Sequence, residues 1–339
     1  GLKFFQSRSL FFENMLKYGR MKPIYLDYAS TTPLDSKVLA AMMPFLKGDF
    51  GNASSIHGPG QKAREAIDKA REQVAGFLNC APTEIIFTGS ATEADNLAIL
   101  GVIKAARSKG GVKPHIITVK TEHHAIIEPC QVLEKQGLAE ITYLPVDKDG
   151  LIKPADVQKA LKDNTVLVSI MYANNEIGVI EPITEIAKII HESLIMNHES
   201  KISLHTDAVQ AINYLDCDVQ KLGVDLLTFS GHKIYGPKGI GALYIRKGAP
   251  IEPIIFGGGQ ERGMRPGTEN VAGIVGLGEA IQQVSSFKFH VSEIIKLRNR
   301  LIDGIIKKIS DAKLNGSLEC RLPNNANFSF EGAEGESIA

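Results

Sequence analysis

From residue 21 onward, short apolar runs rich in β-branched residues alternate with longer stretches whose apolar positions recur every three or four residues. The short runs are 84–88 (EIIFT), 115–119 (HIITV), 140–144 (EITYL), 165–171 (TVLVSIM), 202–206 (ISLHT), 225–229 (DLLTF) and 241–245 (GALYI). Residues 55–77, 93–107, 182–195 and 271–284 carry the helical spacing. This alternation predicts an α/β protein with a mostly parallel, doubly wound sheet and helices on both faces. Residues 288–310 read as a long amphipathic helix with Ile294, Ile295, Leu297, Leu301, Ile305 and Ile306 on one side. That helix marks passage into a smaller α/β domain. The expected division is a large domain over 34–288 and a small one from 21–33 with 289–339.

The two ends stand apart. Residues 1–20 hold four phenylalanines and a net charge of +3, from Lys3, Arg8, Lys17 and Arg20 against Glu13. They lack the continuous apolar stretch of a secretory signal. They read as an extension ahead of a start at Met21, with an organellar transit peptide as the alternative. Residues 334–339 read as the first turn of a helix that has no body, so the natural protein is expected to continue past Ala339.

Composition narrows the class. Of 339 residues, 44% are hydrophobic and 22% charged, which allows a large core and excludes wholesale disorder. Lysine plus arginine (38) balances aspartate plus glutamate (38), which argues against a nucleic-acid partner. No apolar run approaches the ~18 residues of a membrane helix, so no membrane association is expected. Four cysteines without a CxxC pair make neither a disulfide framework nor a zinc knuckle. A cytoplasmic protein of a reducing compartment is the expectation.

Ligands of open parallel sheets bind beyond the carboxyl ends of the strands, so the residues after each run carry the chemistry. After EIIFT, Gly89-Ser90-Ala91-Thr92 opens a helix whose start can cradle a phosphate, or can simply cap itself. After HIITV come His123 and His124. Adjacent side chains on a helix diverge, so a flat ligand stacked on one imidazole, or a capping role, fits better than a metal. After TVLVSIM, Asn174 and Asn175 can orient a ligand or close a turn. After ISLHT, Asp207 needs a cationic or hydrogen-bonding partner, for which a protonated ring nitrogen would serve, and Gln210 follows one turn later. After DLLTF, Ser230-Gly231-His232-Lys233 puts a lysine in a small-residue turn, where desolvation and nearby positive charge would free its amine for Schiff-base chemistry, although taken alone it also fits an ordinary surface lysine. Together these are the groups that pyridoxal phosphate requires.

The segments 25–33 (YLDYASTTP), 51–57 (GNASSIH), 88–97 (TGSATEADNL), 121–125 (TEHHA), 174–179 (NNEIGV), 205–210 (HTDAVQ), 229–241 (FSGHKIYGPKGIG) and 257–268 (GGGQERGMRPGT) resemble those of the cysteine desulfurases. These belong to the class V, fold type I, pyridoxal-phosphate enzymes. The resemblance implies pyridoxal 5′-phosphate as cofactor, L-cysteine as substrate, a homodimer, and a sulfur-acceptor protein in iron–sulfur cluster assembly or tRNA thiolation. It implies that Lys233 holds the cofactor and moves protons at the substrate carbon, and that His123 stacks on the ring and assists those steps. Asp207 would keep the ring nitrogen protonated, Gln210 would bond the phenolic oxygen, and Asn175 would contact the substrate or ring face. Thr92 with Ala91, Ser230 and His232 would hold the phosphate, joined by Thr268 from the neighbouring subunit. No metal is implied.

Two departures touch the phosphate contacts: Gly89-Ser90 replaces the family's Ser-Gly, and Pro266 replaces a serine. A third is larger. The family's nucleophilic cysteine follows the stretch matching 334–337, and a substrate-carboxylate arginine lies further on. Cys320 precedes that landmark, while Cys80, Cys130 and Cys217 read as structural. The 339 residues as given are therefore expected to bind cofactor but to form no persulfide. The alternatives are a related class V enzyme, such as a selenocysteine lyase or aminotransferase, and a non-catalytic scaffold that keeps the fold.

Overall fold

The computed structural model describes residues 24–108, 110–196, 202–287 and 291–338. The expectations for residues 1–20 lie outside them. Seven strands form the main sheet: β1 (Ile85–Thr88), β2 (His115–Val119), β3 (Glu140–Leu144), β4 (Thr165–Ser169), β5 (Ser203–Asp207), β6 (Leu226–Ser230) and β7 (Gly241–Ile245). Their order is β1-β7-β6-β5-β4-β2-β3. Strands β2 to β6 pair in parallel, and β7 lies antiparallel between β6 and β1. Six of the seven therefore end at the same edge, and the active groups gather there.

Ten helices accompany these strands among the described residues: α1 (Ser36–Lys47), α2 (Gly58–Leu78), α3 (Ala91–Ser108), α4 (His124–Lys135), α5 (Pro154–Ala160), α6 (Ile183–Met196), α7 (Val219–Leu222), α8 (Val271–Phe287), α9 (Val291–Lys308) and α10 (Gly335–Ile338). Successive strand side chains point to opposite faces, so each strand feeds two cores. Phe87, Ile117, Val168, Leu204 and Phe229 join α1, α2, α6 and α8 on one face. Ile86, Ile116, Leu167, Leu226 and Leu243 join α3 and α4 on the other. This is the doubly wound α/β arrangement, with both faces of the sheet buried. None of the helices among the described residues is long and apolar enough to cross a membrane.

A second, two-stranded sheet pairs β8 (Ala312–Leu314) with β9 (Phe328–Phe330) beside α9. One expectation holds only in part. The stripe read from the sequence of α9 is split: Ile294, Ile295 and Ile305 are half-buried on the side of buried Ile302, whereas Leu297, Leu301 and Ile306 are exposed. The packed side is set by Arg298, one turn before Ile302, which donates to the carbonyls of Arg321 and Leu322.

Glu181 is 2% exposed, and its Oε2 accepts from the backbone N–H of Ile152 at 3.0 Å. Burial pushes its carboxyl up to about 7. A carboxylate raised in the folded state gives stability at low pH that is lost as pH climbs through the folded value. Ionising Glu181 therefore costs the fold about 3 kcal/mol above pH ~7. Glu181→Gln keeps an acceptor and cannot ionise. Thermal melts should show the variant gaining on the parent as pH rises from 5.5 to 8.5, and parallel pH curves would contradict this assignment.

Candidate active site

Connections from five strands converge at the common edge. After β1, the Ser90 hydroxyl accepts from the N–H of Glu93 at 3.1 Å and caps α3. The Gly89-Ser90 order thus commits the serine to the helix, and Ala91 and Thr92 face the cavity at its positive end. The turn lies flat on β7: a Cβ at Gly241 would stand 2.5 Å from the carbonyl carbon of Ser90 and 2.7 Å from the nitrogen of Ala91.

After β2, His123 is the N-cap of α4, its Nδ1 accepting from Ala125 N–H at 3.1 Å. That bond leaves the proton on Nε2. Burial, then the neighbouring His124 and Lys233, hold the ring below the usual histidine range, so it stays neutral. His124 turns outward to Glu128 at 3.4 Å. After β4 the two amides divide the roles that sequence left open. Asn174 is buried and closes the turn, its Oδ1 accepting from the N–H groups of Glu176 and Ile177. Asn175 lines the cavity.

Asp207 ends β5. Its Oδ1 accepts from Val209 N–H at 2.8 Å, and burial raises the carboxyl to about 6. Lys233 closes the short turn after β6. Its Nζ donates to the carbonyls of Ala29 and Ser30, and burial lowers its affinity for a proton, against the pull of Asp27, Asp207 and Glu176. Gln210 Nε2 donates to the same Ala29 carbonyl at 2.9 Å. Thr31 Oγ1 meets His232 Nδ1 at 3.1 Å, and Thr32 N–H and Oγ1 both donate to the His232 carbonyl. Residues 27–32 thus form a strap tied to the lysine turn.

Ala91, Thr92, His123, Asn175, Asp207, Gln210, Ser230, His232 and Lys233 all line one cavity of about 560 Å³. Thr268 does not: it is exposed on its own loop. Sequence reasoning missed Asp27, Ala29, Ser30, Asp95 and Glu176, which share the lining. The hydroxyl-rich YLDYASTTP segment signalled the strap, although no site residue was drawn from it. None of the four cysteines lines the cavity; Cys80 and Cys130 are pushed up to about 12, chiefly by burial, and Cys320 is exposed.

The chain matches known proteins over most of its length. A profile of the class-V aminotransferases matches residues 24–339. The cysteine desulfurase IscS of Dictyoglomus turgidum is 53% identical over 318 residues, covering 94% of this chain and 78% of that protein. That of Methanosarcina thermophila is 49% identical over 318 residues, covering 94% and 76%. Among solved structures, a NifS-like protein superposes with a TM-score of 0.87 at 39% identity, covering 93% of this chain and 84% of its own. A structure of SspA in complex with cysteine gives 0.78 at 37% identity, with 91% and 84% covered. The chain therefore belongs to the class-V aminotransferase family and, within it, to the cysteine desulfurases.

Proposed function

We propose that the cavity holds pyridoxal 5′-phosphate and that the protein withdraws sulfur from L-cysteine, leaving L-alanine and passing the sulfur to a protein thiol. The observation that carries this reading is one cavity that combines a half-buried lysine, a buried aspartate and the start of an 18-residue helix. The fit is chemical. Asp207 has an oxygen to spare for a cationic N–H, and a cation there would draw its carboxyl back down from about 6. The Thr92 hydroxyl and the positive end of α3 suit a phosphate. Bound there, pyridoxal phosphate supplies an aldehyde for an amine and a protonated ring that draws electrons from the substrate carbon.

The chain's own residues do the rest. Lys233, eased toward the neutral amine by desolvation, would hold the group through its amine and would carry a proton to or from the substrate Cα. His123 presents a neutral ring face with its proton on Nε2. Gln210, anchored on Ala29, has a second N–H for a ring oxygen. Ser230 and His232 close the phosphate end, and Thr268 is assigned to the neighbouring subunit of a homodimer. With no cysteine in the cavity lining, the 339 residues as given are proposed to labilise the Cα proton of L-cysteine without forming a persulfide. We also assign residues 34–288 to the cofactor-holding domain and 21–33 with 289–339 to the smaller one, in a cytoplasmic protein that serves a sulfur-acceptor partner.

Product analysis tests the reaction class. Deuterium entering Cα of L-cysteine from heavy water, without keto acid, is the expected result; keto acid would assign an aminotransferase. Gly241→Ala tests the phosphate end. Its Cβ must push the Ser90–Ala91 turn off β7, and the cofactor dissociation constant should rise about tenfold, or 1.4 kcal/mol. Unchanged affinity would remove α3 from the phosphate site.

A further inference from the structure

Asp95 has no part in the account so far. It lies on α3 among the residues that pack against the sheet, is 1% exposed, and lines the same cavity as Asp207. Among the described residues neither of its carboxyl oxygens has a hydrogen bond of ordinary geometry; the one side chain that offers it a weaker one is Thr228, whose hydroxyl also meets His205. The nearest cationic candidate is His205, which shares a strand face with Asp207 two residues on. Its Nε2 stands 3.6 Å from Asp95 Oδ1, too long for a hydrogen bond. Both His205 nitrogens are already engaged, Nδ1 with Ser169 Oγ at 2.9 Å and Nε2 with Thr228 Oγ1 at 3.1 Å. The other titratable neighbours are Asp207 on β5 and Glu122 from the turn after β2, both acidic. A buried carboxylate with one weakly placed hydroxyl, no contacting cation and two acidic neighbours would cost several kcal/mol. Burial, followed by the charge of Asp207, accordingly raises the Asp95 carboxyl well above its usual range, while burial pushes His205 down to about 3 and keeps it neutral.

We propose that Asp95 carries a proton and stands in the cavity wall as a neutral carboxyl group that leaves Asp207 as the charged partner. Asp207 is then the negative charge that meets a bound ring, and the proton on the ring nitrogen answers to Asp207 without a second carboxylate beside it. The inference rests on the cofactor reading, but the protonation state of Asp95 belongs to the cofactor-free chain and can be measured there.

The test is infrared spectroscopy of the cofactor-free 339-residue chain at pH 8, where Asp207 is ionised. Carrying 13C in the side-chain carboxyl of its aspartates, the chain should show a protonated-acid carbonyl band displaced from that of unlabelled protein. The displaced band should vanish in Asp95→Asn and persist in Glu122→Gln. A spectrum in which no acid band responds to the aspartate label overturns the proposal, and it does so without any variant having to fold. Titration with pyridoxal 5′-phosphate gives the second readout. Asp95→Asn replaces one neutral group by another and should keep the dissociation constant within about threefold, whereas loss of an ionised partner of the ring would weaken it at least about tenfold. If the parent chain takes up no cofactor at all, the cofactor reading fails while the infrared result still decides the state of Asp95.

Discussion

Replacing Lys233 with alanine is expected to slow exchange of the L-cysteine Cα proton by at least about a thousandfold, the scale of a lost general acid–base group. Lys233 sits in a turn that begins at the end of β6, where burial lowers its hold on a proton, and its amine reaches the carbonyls of Ala29 and Ser30. Among the described residues no other lysine lines the cavity. Lys233→Arg should do no better, because a guanidinium stays charged and neither condenses with an aldehyde nor shuttles protons. Following deuterium uptake into L-cysteine by proton NMR checks both variants. Exchange within tenfold of the parent in either one would assign the base elsewhere.

The second large effect falls on stability. Glu261 is buried and binds Arg71 twice, with Oε1 to Nη2 at 2.6 Å and Oε2 to Nη1 at 2.8 Å. Its Oε2 also accepts from the N–H of Phe87 in β1, and Arg71 donates to the Ile85 carbonyl and covers the Phe87 ring at 4.7 Å. The pair fastens the loop carrying Arg265 and Thr268 to the sheet. It does so although Glu261 and Arg262 adopt left-handed backbone angles, with φ of 45° and 58°, that side chains other than glycine rarely take. Glu261→Ala strands a buried guanidinium and an unpaired N–H and should cost about 3–5 kcal/mol. Urea unfolding should show that loss, and Arg71→Met combined with Glu261→Leu should recover much of it because no charge is left unpaired. A loss below about 1 kcal/mol in Glu261→Ala would mean that the loop is held by other contacts.

Why the site was so legible follows from the strand pattern. Parallel strands buried on both faces must be apolar along their length, so runs such as EIIFT and DLLTF announce where they end, and polar residues just beyond them are conspicuous. Lys233, Asp207 and His123 were found in this way. Asp95 escaped because it lies inside a helix rather than at a strand end. Its signal was nevertheless present: it interrupts the apolar stripe that runs through Ala94, Ala98 and Val102. The strap at 27–32 has no hydrophobic period to mark it, and its meaning comes from contacts with His232 and Lys233 some 200 positions away. The Arg71–Glu261 pair spans 190 positions and is likewise set by tertiary geometry alone. In α9 the apolar spacing was right for Ile294, Ile295 and Ile305 and wrong for Leu297, Leu301 and Ile306, since a polar anchor at Arg298 chose the packed side.

The most direct test is chemical trapping. The chain is incubated with pyridoxal 5′-phosphate, reduced with borohydride, digested and analysed by mass spectrometry. A pyridoxyl-phosphate adduct is expected on the peptide that contains Lys233, and none there when that residue is alanine. An adduct on a different lysine, or none at all from a chain that folds, would contradict the assignment of Lys233.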